Sequence, residues 1–233
     1  MPFVYSVGAL FFWLTAMAIV VELSGVIASE EWQQIVLSNF GICAAGVFTA
    51  AVIIFFAKKH FCRGLRGFGI DLGTIWRDLG AAFLNLTAAW PLIVGAVLLT
   101  IQAAKMIYGA DYEIAQHQEL DILSKYDQWS VRFSVFLLAV VVAPMVEELL
   151  FRGCLQTMFR SWTGLKWGSI FLTSGIFAMV HANLSHWFAL FVLSSTMGYA
   201  YEKSGSLLRS IFIHAIFNGL SVLTVMYYPE ISV

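Results

Sequence analysis

Charge is scarce in this sequence. Of 233 residues, 12% are charged and 60% are hydrophobic, with a mean hydropathy of +0.83. A soluble domain carries about 25% charged residues, so this composition excludes a water-soluble enzyme and a disordered chain. Neither sign dominates: 13 Lys and Arg stand against 14 Asp and Glu, a net charge of −1. No basic excess points to a nucleic-acid partner. Cysteine is also rare, with only Cys43, Cys62 and Cys154. Cys43 and Cys154 lie in apolar runs and Cys62 lies in a basic loop, so the set makes no disulfide framework. Proline occurs four times, which leaves long uninterrupted stretches for helix.

Long apolar runs are present. A membrane helix needs roughly 20 mostly apolar residues. Seven stretches qualify as candidates: 3–21, 36–57, 79–101, one beginning near 131, 167–183, the short 187–201, and 207–227. None alternates as a barrel strand does. Lipid admits only helices and closed barrels, so the expected fold is all-α: a polytopic membrane bundle of about seven helices. Residues 1–130 read as N-terminal helices and loops, and 131–233 as a C-terminal catalytic core within one membrane domain. The first run has no Lys or Arg before it and exceeds a usual signal-peptide core, so it reads as a retained span despite the weak Ala28-Ser29 cleavage candidate.

The few charges set an orientation. Lys58, Lys59, Arg63, Arg66 and Arg77 cluster in one connection, and Arg160, Lys166, Lys203 and Arg209 fall on the same side if seven spans are counted. The other side holds mostly acids, among them Glu30, Glu31, Asp111, Glu113, Glu119, Asp121 and Asp127. The positive-inside rule then places the N-terminus in the cytoplasm. Residues 61–76, basic, aromatic and glycine-rich, read equally as an interfacial segment or a plain connection. Residues 110–130 read as a polar, acidic surface loop. Trp129, Trp162, Trp167 and Trp187 are placed as interfacial anchors.

Ionisable residues inside a span cost roughly 2.5–3.5 kcal/mol each on insertion scales, so they mark function. They are Glu147, Glu148 and Arg152 in the fourth span, His181 in the fifth and His214 in the seventh, with Asn218 one turn beyond. His60, His117 and His186 fall in loops. The fourth helix is expected to run to about Phe159 and to turn at Gly164. Glu147 lies 17 residues before that glycine and His181 lies 17 after it. In an antiparallel hairpin they share one depth, roughly 20 Å or slightly more from the turn. His214, closer to the Gly205 turn, is expected nearer the inner face, with Asn218 moving towards the common level. Glu148 and Arg152 form an i,i+4 pair in the favourable order, which leaves Glu147 facing another helix. His214 and Asn218 share a helix face, where their donors suit a developing oxyanion or an interhelical hydrogen bond. Ser185, Ser194 and Ser195 stand in no nucleophile motif, so a serine intramembrane protease is not supported.

These residues compose three short motifs: Glu147-Glu148-Leu149-Leu150-Phe151-Arg152 fits EExxxR, Phe177 to His181 fits FxxxH, and His214 to Asn218 fits HxxxN. Together with the segment from Gly198 to Leu207, they resemble the CAAX proteases and bacteriocin-processing enzymes, a family that includes the type II CAAX prenyl endopeptidases. The resemblance covers about residues 135–220. It implies an intramembrane endopeptidase in which Glu147 and His181 activate a water, His214 and Asn218 hold the oxyanion, and Glu148 with Arg152 supports the site. No metal is expected. A zinc-dependent variant would use Glu147, His181 and His214, although no HExxH motif fixes such ligands. The implied partner is a peptide or protein substrate at the bilayer, whether prenylated, a leader peptide or a bacteriocin precursor. No nucleic acid is implied, and the compact length suits a bacterial cell membrane. The reading from another class is a non-enzymatic scaffold, immunity or maturation factor that uses the same polar cluster for binding.

Overall fold

The structure is a computed structural model, and it describes residues 2–60, 63–109, 118–181 and 186–227. Cys62, His117, Asn183, Ser185 and the C-terminal residues 228–233 lie outside that set. Eight helices follow in chain order: α1 (Pro2–Ile27), α2 (Glu31–His60), α3 (Ile75–Tyr108), α4 (Gln118–Lys125), α5 (Trp129–Thr163), α6 (Lys166–Val180), α7 (Trp187–Ser204) and α8 (Leu207–Tyr227). No strand occurs among the described residues, and the chain is a helical membrane bundle.

Six of the seven apolar runs lie in helices, and 167–183 does so as far as Val180. Among the described residues, the helices long and apolar enough to cross a membrane are four, fewer than the seven spans expected: Glu31–His60, Leu72–Tyr108, Trp129–Thr163 and Leu207–Tyr227. Phe11–Ile27 and Lys166–Val180 are shorter apolar helices. The outer faces carry large side chains with no protein cover, such as Phe11, Leu84, Leu99 and Met106. Apolar surface of this extent is not stable in water, and lipid is its natural solvent.

Turn chemistry sets the boundaries. Gly164 ends α5 and Gly205 ends α7, both in the left-handed region at φ 69° and 67°, where a side chain would be strained. Each donates its N–H back to the preceding turn, to Arg160 O and Tyr201 O. Small residues let the helices close on one another. A Cβ added at Gly46 of α2 would meet Val142 and Val146 of α5 at 2.8 and 3.2 Å and Trp13 of α1 at 3.0 Å.

Two expectations are corrected here. Residues 110–130 are not simply a polar loop: the part described contains α4, whose Leu123 is buried with Val131, Val135, Val222 and Val225. Leu120, Ile122 and Leu123 give that acidic stretch an apolar side, and burial of that side docks it. The basic connection after α2 is likewise seated in the bundle. Phe68 is buried against Gly153 of α5, and the Gly69 carbonyl accepts from Leu207 N–H at 2.7 Å.

Candidate active site

The site begins with a departure from ideal helix in α5. Residues Leu137–Val142 and Leu149–Gln156 are π-helical, and between them lies the short α-helical piece Ala143–Glu148. Such π insertions concentrate at functional sites. The first has a visible cause. In a π turn the N–H of residue 144 would bond the carbonyl of residue 139, but Pro144 has no N–H to give. Asn218 of α8 supplies the missing donor, with Nδ2 at 2.8 Å from Ala139 O. Asn218 thereby fixes α8 against the α5 segment that presents Glu147 and Glu148. The helix extends to Thr163, beyond the expected end at Phe159, because the next residue capable of stopping it is Gly164.

Glu148 points into the bundle and is fully buried with Arg152. Arg152 Nη1 donates to Glu148 Oε1 at 2.7 Å, so the pair anticipated from the i,i+4 spacing forms. Its Nη2 donates to the Ser194 carbonyl at 2.9 Å and to Ser194 Oγ at 2.6 Å. The guanidinium also lies over the Phe177 ring, 5.0 Å from its centre. A buried ion pair persists only when its remaining donors and acceptors are met. Ser194 of α7 meets much of that requirement. The sequence gives no signal for this, since Ser194 is one polar residue in an apolar helix and its partner lies 42 positions away.

Glu147, adjacent on the same helix, looks towards α6 and α8. Its Oε2 lies 3.6 Å from His181 Nε2 and 3.9 Å from His214 Nε2. His181 caps the C-terminus of α6 after Val180. The hairpin spacing about Gly164 thus brings Glu147 and His181 together. His214 is also at this level, deeper than its distance from Gly205 suggests, and Asn218 lies one turn past it. The cause is that α8 starts inside the bundle: Leu207 is fully buried beneath the Gly69 carbonyl.

Hydrogen-bond partners orient both rings. His181 Nδ1 sits 2.8 Å from Phe177 O, and His214 Nδ1 sits 3.0 Å from Glu148 Oε1. A carbonyl and an arginine-bound carboxylate can only accept, so both Nδ1 atoms carry hydrogen. In the neutral tautomer each Nε2 then offers a lone pair towards Glu147. The Oε2 atom of Glu147 is buried, and the nearer of these two ring nitrogens is 3.6 Å from it. Phe177, with no exposed surface, packs against both imidazoles, its ring centre 4.4 Å from that of His181 and 5.7 Å from that of His214. Glu147 and His181 keep about a fifth of their side-chain surface open, 17% and 22%, whereas His214 keeps 4%. The cluster is therefore reached from the Glu147–His181 side. Among the described residues no three His, Cys, Asp or Glu side chains assemble a group that could hold a metal ion.

A carboxylate beside imidazole nitrogens suits a molecule that donates two hydrogens, one to Glu147 and one to a ring Nε2, and water does so. The order of motifs and the geometry of the cluster agree with the comparisons to known proteins. Residues 128–220 match the Rce1-like family of type II CAAX prenyl endopeptidases. The match encloses the three motifs and begins at the residue before α5, so residues 128–220 are similar to that family where EExxxR, FxxxH and HxxxN lie. That family is one of membrane proteases. A curated relative is the UPF0177 protein YaiF of Lactococcus lactis subsp. lactis (strain IL1403), 31% identical over 118 residues, which are 49% of this chain and 50% of the relative. The chain thus spans about half the length of the curated relative it matches. No solved structure matches it.

Proposed function

We propose that this protein is an intramembrane endopeptidase that hydrolyses a peptide bond with a water activated between Glu147 and His181. The observation that carries the reading is the meeting of Glu147 Oε2, a buried atom, with His181 Nε2 at 3.6 Å and His214 Nε2 at 3.9 Å. A water bridging these atoms gives a proton to Glu147 as its oxygen attacks the scissile carbonyl, and the carboxylic acid then returns that proton to the leaving amine. His181, held through Nδ1, positions the water. The developing oxyanion falls to the face of α8. His214 donates to it through Nε2 when both ring nitrogens carry hydrogen, with the Glu147 and Glu148 carboxylates flanking the ring. The second Nδ2 hydrogen of Asn218 adds to that face. Glu148, Arg152 and Ser194 hold the His214 ring in place.

The substrate is a peptide or protein segment presented at the membrane. A prenylated CAAX terminus, a leader peptide and a bacteriocin precursor all fit this chemistry. The positive-inside distribution of Lys58, Lys59, Arg63, Arg66 and Arg77 supports an N-terminus on the cytoplasmic side of the membrane. The test is cleavage of membrane-presented peptides by the purified protein and by Glu147→Gln and His181→Ala, with products read by mass spectrometry. Loss of a general base lowers turnover by about 10²–10⁴-fold. Unchanged cleavage in both folded variants refutes the mechanism.

A further inference from the structure

A second charged site lies away from the Glu147 cluster. The connection between α2 and α3 and the turn between α7 and α8 enclose a cavity of about 460 Å³. Arg63, Arg66 and Arg77 line it with Asp71, Gly69 and Ser206. Asp71 pairs with Arg66 at 3.3 Å. Arg63 and Arg77 make no ion pair among the described residues, and the neighbouring Arg209 is already committed to the buried Asp78 through Nη2 at 2.8 Å. Three guanidinium groups against one carboxylate leave the cavity with two uncompensated positive charges.

The walls of this cavity are fixed. Phe68 is 2% exposed and packs on Gly153, so the connection cannot lift without opening the core. Gly69, at φ 92°, comes so close to the α7–α8 turn that a Cβ would lie 2.8 Å from both Gly205 O and Leu207 N. Asp78 binds Thr74, Ser206 and Arg209 together and locks the start of α3 to the start of α8. The backbone that carries the arginines is therefore a preorganised platform.

Its position selects the ligand. Long apolar helices end at this level: α2 at Lys58, Lys59 and His60, while Leu72–Tyr108 and Leu207–Tyr227 begin here. Beside the arginines, Leu72 and Trp76 are 71% and 80% exposed. An apolar anchor next to a cationic cavity, where the spans meet water, matches a phospholipid, with acyl chain against Leu72 and Trp76 and phosphate among the guanidiniums. We infer that the cavity lined by Arg63, Arg66 and Arg77 binds the phosphate headgroup of an anionic lipid. The inference is independent of the peptidase reading.

The experiment titrates the purified full chain in detergent micelles with phosphatidylglycerol, with phosphatidylcholine and with inorganic phosphate, following Trp76 fluorescence. Phosphatidylglycerol is expected to bind most tightly. Each of Arg63→Gln and Arg77→Gln weakens it about fivefold, since each basic residue near an anionic surface contributes about that factor. Arg77→Lys retains most of the affinity. Lys166→Gln, exposed on the same side but outside the cavity, leaves it unchanged. The thermal midpoint of each variant reports folding. Equal binding of phosphatidylcholine, equal competition by inorganic phosphate, preference for an acidic peptide over lipid, or an equal loss in Lys166→Gln would each overturn the proposal.

Discussion

The most demanding prediction concerns Arg152. Replacing it with methionine keeps an apolar stem of similar length and removes a guanidinium that is fully buried. Glu148 Oε1 then keeps only His214 Nδ1 at 3.0 Å, and the Ser194 carbonyl and hydroxyl both lose their donor. Breaking a buried pair from one side leaves an uncompensated charge and costs about 3–5 kcal/mol. Removing both charges is much cheaper, because the desolvation penalty leaves with them. Arg152→Met is therefore expected to lose about 3–5 kcal/mol, and Glu148→Leu/Arg152→Met to recover about 2–3 kcal/mol of it, the coupling expected of a contacting pair. Ser194→Ala, which leaves the Ser194 carbonyl in place, costs about 1 kcal/mol. The assay is reversible unfolding in mixed detergent micelles, analysed as a double-mutant cycle. A loss below about 1 kcal/mol in Arg152→Met, or strict additivity in the cycle, refutes the view that Arg152 neutralises Glu148.

Two further outcomes test the surrounding scaffold. Gly153→Ala places a Cβ 2.3 Å from the Phe68 ring, so it is expected to destabilise the protein by about 1–3 kcal/mol, and adding Phe68→Leu should restore most of that loss in the same unfolding assay. Asn218→Ala strips the donor from Ala139 O next to Pro144. It is expected to cost about 1–3 kcal/mol, as for a buried acceptor left unsatisfied, and to lower peptide turnover as well. Lost stability with full turnover would confine Asn218 to holding α8 on α5.

Much of the site was legible because helix spacing converts directly into geometry. The i,i+4 interval of Glu148 and Arg152 becomes a 2.7 Å ion pair, and equal distances from Gly164 become the approach of Glu147 to His181. Composition alone identified a helical membrane bundle, since an apolar chain must satisfy its backbone within its own helices. Turn glycines at 164 and 205 were readable because only a residue without Cβ enters the left-handed region without strain. The order of the motifs identified the family that residues 128–220 match.

Long-range contacts were not legible. Ser194 reaches Arg152 and Asn218 reaches Ala139 through packing between helices, and no local period records such a meeting. The first π stretch in α5 depends on a carbonyl that a neighbouring helix rescues. The depth of His214 depends on how far Leu207 sinks beneath Gly69. Asp78, just before the 79–101 run, is fully buried and ties α3 to α8. The sequence by itself determined the solvent, the helices and the short list of residues able to do chemistry, because these follow from side-chain character and helical spacing. Only the tertiary structure decided which of those residues face one another and which residues hold them, because a buried polar group stays where a partner on another helix satisfies it.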